Sequence, residues 1–126
     1  MAAQFTLNGS YQSLPLDGSP SFSASIIAQI NETTTIGKQV AQTIELASDS
    51  PEAVAFGDVV GASVVVIKAI GGKIRVRVTS ADGSQQAVPC DSFIILMSET
   101  VPVTAIDLTR TTGVNTTVQV FLGETP

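Results

Sequence analysis

The chain has 126 residues, of which 44% are hydrophobic and only 13% charged, with a formal net charge of -5 and no histidine. A chain of this length buries enough apolar surface to fold as one domain without a disulfide or a metal. Its six basic residues exclude a broad phosphate-neutralising surface for nucleic acid or an anionic membrane, and the missing imidazole removes the commonest general base and metal ligand.

The first residues, Met1-Ala2-Ala3-Gln4-Phe5-Thr6, carry neither the basic start nor the apolar run of a secretory signal. No apolar stretch approaches the roughly 20 residues of a membrane-spanning helix. Residues 1–20 are dense in turn formers, Asn8-Gly9-Ser10, Leu14-Pro15-Leu16 and Asp17-Gly18-Ser19-Pro20, with room for one short strand at Gln4–Leu7. They are expected to form an arm or surface loop, free or lapped onto a neighbouring subunit. Residues 21–126 are expected to form a single β-domain.

From Phe22 the chain reads as strands. Ser23–Ile30 is β-branched and bounded by turns, and Thr33-Thr34-Thr35 crowds any helical turn. Lys38–Leu46 alternates Val40, Ile44 and Leu46 with Gln39, Ala41, Thr43 and Glu45, the period of a half-buried strand. Ser48-Asp49-Ser50-Pro51-Glu52 predicts a turn or one helical turn. Ala62–Ile70 is a near-continuous apolar run, expected to be covered on both faces, and Gly71-Gly72 is expected to close a hairpin onto the next strand. In that strand Ile74, Val76 and Val78 point inward while Lys73, Arg75, Arg77 and Thr79 point out. Asp82-Gly83 turns the chain, Ala87–Cys90 and Ser92–Met97 follow, Val103–Leu108 alternates, and Thr112-Gly113-Val114-Asn115 leads into Thr117–Leu122.

About eight or nine strands with no long helix between them predict an all-β, antiparallel sandwich, jelly-roll-like by preference. An immunoglobulin-like or tail-tube-like sandwich is the alternative. The predicted core comprises Ile26, Ile30, Val40, Ile44, Leu46, Val64, Val66, Ile74, Val76, Val78, Phe93, Ile95, Ile106, Val118, Val120 and Leu122.

No catalytic, cofactor-binding or metal-binding pattern emerges. The carboxylates fall singly in turns, where they cap backbone N–H groups. Gly71-Gly72 lacks the Lys-Ser/Thr of a phosphate loop. Cys90, the single cysteine, has no basic partner in sequence and reads as a buried, inert thiol. Three Asn-x-Ser/Thr triplets, at Asn8, Asn31 and Asn115, accompany no export signal. The distinctive local feature is the basic stripe of Lys73, Arg75 and Arg77, either a solvated hairpin face or a contact with acids of another subunit.

The C-terminal half resembles small virion proteins of tailed phages. The order that carries the likeness is Ile74-Arg75-Val76-Arg77-Val78, the turn Ser80-Ala81-Asp82-Gly83-Ser84, Val88-Pro89-Cys90-Asp91-Ser92-Phe93-Ile94-Ile95-Leu96, then Val103–Leu108 and Thr117–Leu122. The resemblance implies a β-sandwich without catalytic residues, a capsid decoration (cement) protein or small head or tail component. It further implies a homo-oligomer, trimeric by preference, that contacts other virion proteins after assembly in the host cytoplasm. The charge-poor segment Val59–Cys90 independently suggests self-association, since a bare apolar edge invites pairing. An adhesive module binding receptor or glycan through loop aromatics (Tyr11, Phe22 or Phe56) is the alternative, and a carboxylate hydrolase the remote one.

Overall fold

Period-two alternation and β-branched residues dictate strands along nearly the whole chain, and positive-φ glycines mark several of its turns: Gly57, Gly71, Gly83 and Gly113. The computed structural model describes residues 2–13 and 26–126. Its strands are β1 (Ala3–Ser13), β2 (Ile26–Ile36), β3 (Lys38–Leu46), β4 (Glu52–Ala53), β5 (Val64–Ile70), β6 (Ile74–Ser80), β7 (Gln85–Cys90), β8 (Phe93–Met97), β9 (Val103–Arg110) and β10 (Thr116–Glu124). The described residues form no helix.

Eight of these strands make a two-layer antiparallel sandwich. One sheet has the order β3-β10-β5-β8 and the other β4-β9-β6-β7. The pairs are nested, for β3 bonds to β10, β4 to β9, β5 to β8 and β6 to β7. A long folded hairpin wrapped into two sheets in this way is a jelly roll, the predicted preference. Among the described residues the other two strands, β1 and β2, pair only with each other, from Ala3↔Ile36 to Ser13↔Ile26. They form a ribbon outside the sandwich. The expected arm boundary at residue 20, and the predicted core position Ile26 at the level of its side chain, lie outside the described residues.

Gly37 joins the ribbon to the sandwich, its N–H donating to the Glu124 carbonyl at 2.8 Å. At the ribbon's base Ile36 is buried and Phe5 stacks on Phe121 of β10 with ring centroids 5.3 Å apart. The Glu124 carboxylate accepts the N–H groups of Val60 at 2.9 Å and Gly61 at 2.8 Å, with Lys38 at 4.0 Å. The Gly61 hydrogen bond, aided by those of Val60 and by Lys38 against an opposing burial effect, holds this carboxyl below the usual glutamate range. A depressed folded value adds stability above the unfolded pKa, and that contribution disappears as pH falls through the folded value. Glu124→Gln is therefore expected to cost about 1 kcal/mol near neutrality. The gap from the wild type should close on acidification, read by urea denaturation at several pH values; a gap that stays constant with pH would place the effect elsewhere.

The core lies between the two sheets and is built from Leu46, Val65, Ile67, Ile74, Val76, Ile106, Leu108, Val118, Val120 and Leu122, among others. Of the predicted core, Leu46, Val64, Ile74, Val76, Ile106, Val118, Val120 and Leu122 are buried, and Val40, Ile44, Val66, Val78 and Ile95 are half-buried. Five positions are corrected: they lie outside the space between the two sheets, and of these Val64, Val66 and Ile95 turn to the outer face of their own sheet. Ile30 lies on the ribbon and is 37% exposed, and Phe93 is 63% exposed on the outside of β8. In β8 it is Ile94 and Leu96 that pack against the core. A run of five apolar residues carries no alternation to fix which face turns in.

The Gly71-Gly72 hairpin is a second correction, because β5 and β6 belong to different sheets. These glycines carry the chain from one layer to the other, and β6 forms its hairpin with β7 through Gly83. The segment at Ser48–Pro51 is a bend leading into the short strand β4, with no helical turn. In β9 the alternation breaks at a bulge, where Thr79 faces Ala105 but Ser80 faces Val103. The extra residue turns both Val103 and Ile106 inward.

Candidate functional site

Among the described residues no three His, Cys, Asp or Glu side chains gather into a metal-binding group. Cys90 is buried, and burial, reinforced by the nearby Asp91 charge, raises its thiol pKa despite a hydrogen bond from the Ser92 backbone. Such a thiol is a poor nucleophile. Several carboxylates have structural occupations. Asp49 accepts from Gly113 N–H at 3.0 Å and Arg110 Nε at 2.9 Å, and these bonds lower its pKa. Asp82 is lowered by the Ser84 hydroxyl at 2.6 Å and N–H at 2.9 Å, closing the β6–β7 turn.

On the outer face of the β3-β10-β5-β8 sheet the register places Ala41, Phe121, Val66 and Ile95 in one row across all four strands. The next row is Thr43, Gln119, Lys68 and Phe93. A shallow depression of about 520 Å3 runs along these rows between Ala41, Thr43, Val66, Lys68, Gln119 and Phe121. Phe93, Met97 and Ile70 stand exposed around it.

The ribbon is amphipathic. Ala3, Phe5 and Leu7 share a face with Ile36, Thr34, Glu32 and Ile30, while Gln4, Thr6 and Asn8 share the other with Thr35, Thr33 and Asn31. At its base the first face meets the sandwich, through Phe5 on Phe121 and through Thr34 Oγ1 on the Glu99 carboxylate at 3.2 Å. The ribbon thus crosses the outer face of the sheet on the side of the β8–β9 loop. Further out, Leu7 is half-buried and Ile30 is exposed.

The basic stripe lies on the outer face of the other sheet, and the three residues differ in their partners. Arg77 pairs with Asp107 on the adjoining strand and Lys73 lies 3.7 Å from Asp91, both within the chain. Among the described residues Arg75 has no carboxylate within ion-pair distance, and it sits between Thr109 and Pro89 on the neighbouring strands. Of the loop aromatics, Phe56 packs against the core instead of facing outward, and the side chains of Tyr11 and Phe22 lie outside the described residues.

The outward-facing apolar residues that sequence reasoning missed are those of β8, read as core at Phe93 and Ile95, and those of the ribbon face. The signal for the ribbon was present in the alternation from Ala3 to Asn8. It was obscured because Gly9 and the following turn formers read as loop.

No family model matches the chain, and no curated protein and no solved structure shows significant similarity to it.

Proposed function

We propose that the chain is a non-enzymatic structural component of a phage virion, a capsid decoration (cement) protein or small head or tail part. In this role it assembles with copies of itself and with a larger protein shell. The observation that carries the reading is the amphipathic ribbon, seated on the sandwich at its base and keeping Ile30 exposed further out. A ribbon of 11-residue strands extends for roughly 35 Å, enough to lap onto an adjacent subunit. Jelly rolls also serve as lectins and cupins. A cupin-type metal site wants histidines that this chain lacks, and a fold alone does not decide function. The low charge of the chain agrees with a surface that is covered in use. The three-fold arrangement rests on the resemblance to phage proteins, and the partner on the shell follows from the same resemblance.

The test is negative-stain imaging of particles from the source with this protein labelled, alongside light scattering of the purified protein. Label repeated at fixed positions on particles is the expected result. Unlabelled particles together with a protein that binds a glycan panel would replace this reading with the adhesive one.

A further inference from the structure

Sheet edges expose unpaired N–H and C=O groups, and natural sandwiches blunt them. Three of the four edges here are blunted. β4 is two residues long, β7 contains Pro89, which takes a donor off its edge, and β3 carries Lys38, Glu45 and Gln42, whose side-chain amide bonds to the Ala55 carbonyl at 2.6 Å. The fourth edge, β8, reads Phe-Ile-Ile-Leu-Met with no charge, proline or glycine. No described strand pairs with its outer side.

The hydrogen-bond phase of β8 shows what fits it. Ala69 N–H donates to the Ser92 carbonyl and Ser98 N–H to the Ser63 carbonyl. With the β5–β8 register, this alternation turns the backbone groups of Ile94 and Leu96 toward β5. Those of Phe93, Ile95 and Met97 point away from the sheet. A strand related by a two-fold axis at Ile95 places Ile95 opposite its copy and Phe93 opposite Met97. Every outward N–H then meets a facing carbonyl, so the edge is complementary to itself.

A second observation agrees. Between the β7 and β8 edges the sandwich interior opens as a cleft of about 490 Å3, lined by apolar Val78, Val88, Ile94 and Leu96 and by polar residues that include Asp82 and Gln86. A two-fold partner brings its own Ile94 and Leu96 to the same inner side, closing the apolar part of that opening to water.

We propose that two copies of this chain pair β8 to β8 antiparallel about a two-fold axis at Ile95, joining their sheets into one continuous eight-stranded sheet. The pairing rests on the reading of the chain as a self-assembling component and supplies its first contact. A three-fold ring would require a different, head-to-tail edge contact.

The test uses the full chain and three variants. By light scattering at micromolar concentration the wild type should show twice the 13.0 kDa chain mass. Ile95→Lys should halve that mass with an unchanged circular dichroism spectrum. Ile95→Pro should do the same, since the N–H it removes is not bonded to β5. Ile95→Cys should oxidise to a covalent dimer, because facing residues of a hydrogen-bonded pair lie about 5.5 Å apart at Cα, within disulfide reach. Buried Cys90 leaves the wild type unlinked under the same oxidant. An oligomer that survives Ile95→Lys and does not cross-link at position 95 would overturn the β8 contact and leave self-assembly standing. A wild type that stays at 13.0 kDa would overturn the β8 contact as well, and labelled particles would then still decide the virion reading.

Discussion

Leu108→Ala is expected to destabilise the fold by about 2–5 kcal/mol, the largest effect of any single truncation considered. Leu108 is fully buried in β9, between Val76 of β6 and Glu52 of β4, with the opposing sheet above it. Its strand is held on both sides, so the backbone has little freedom to collapse into the space left behind. The cost then includes the lost transfer free energy and most of a cavity. Thermal unfolding followed by circular dichroism should show a fall in Tm on the order of 10 °C. Val60→Ala provides the contrast: this side chain is 75% exposed and its loss should stay within about 0.5 kcal/mol. Equal effects at the two positions would mean that the layer assignment of β9 is wrong.

Gly72→Ala is expected to cost about 2–3 kcal/mol by overpacking. A Cβ on Gly72 would fall far inside contact distance of Thr116 Oγ1 and 3.0 Å from Val114 Cγ1. Thr116 cannot easily yield, for it is buried and its hydroxyl donates to the Val114 carbonyl at 3.0 Å. The neighbouring Gly71→Ala meets only ordinary contact, 4.0 Å from the Asn115 carbonyl oxygen, but must hold φ at +84°, a strain of about 1 kcal/mol. Denaturant titration of both variants separates steric from conformational cost. If Gly71→Ala proves the more damaging, the close crossing over Thr116 is not what fixes this turn.

How far the sequence reaches can be judged at particular strands. β3 and β6 were legible because polar and apolar residues alternate cleanly, and the observed strands match that alternation with Val76 and Leu46 buried. In β5 the four residues Val64–Ile67 are all apolar, so position alone did not reveal that Val65 and Ile67 face the core while Val66 faces out. Val64 is buried on the outer side instead, at the end of the sheet crossed by the ribbon. β8 failed for the same reason. The Gly71-Gly72 turn misled because a local dipeptide reports positive φ but not whether the strands it joins lie in one sheet. The basic stripe was visible as residues, but the pairing of Arg77 with Asp107 depends on β6 and β9 being neighbours, a long-range fact. The bare β8 edge was hidden in the same way, since an edge exists only once the strand order is known.

The nesting of the strand pairs also sets an order of events during folding. The innermost pair, β6 with β7, closes a turn of a few residues, whereas β3 must find β10 across most of the chain. Loop-closure entropy favours the inner pair first and the outer pair last. β10 lies between β3 and β5, so the sheet that bears the ribbon seat and the β8 edge remains without its central strand until Thr116–Glu124 is in place. Until then Val64–Ile67 and Phe93–Met97 have only each other as neighbours, an unfinished apolar pair in a slow-folding topology. Docking of β10 is thus expected to come late in folding, and a chain stopped short of Thr116 should leave both segments uncovered on the side that β10 occupies.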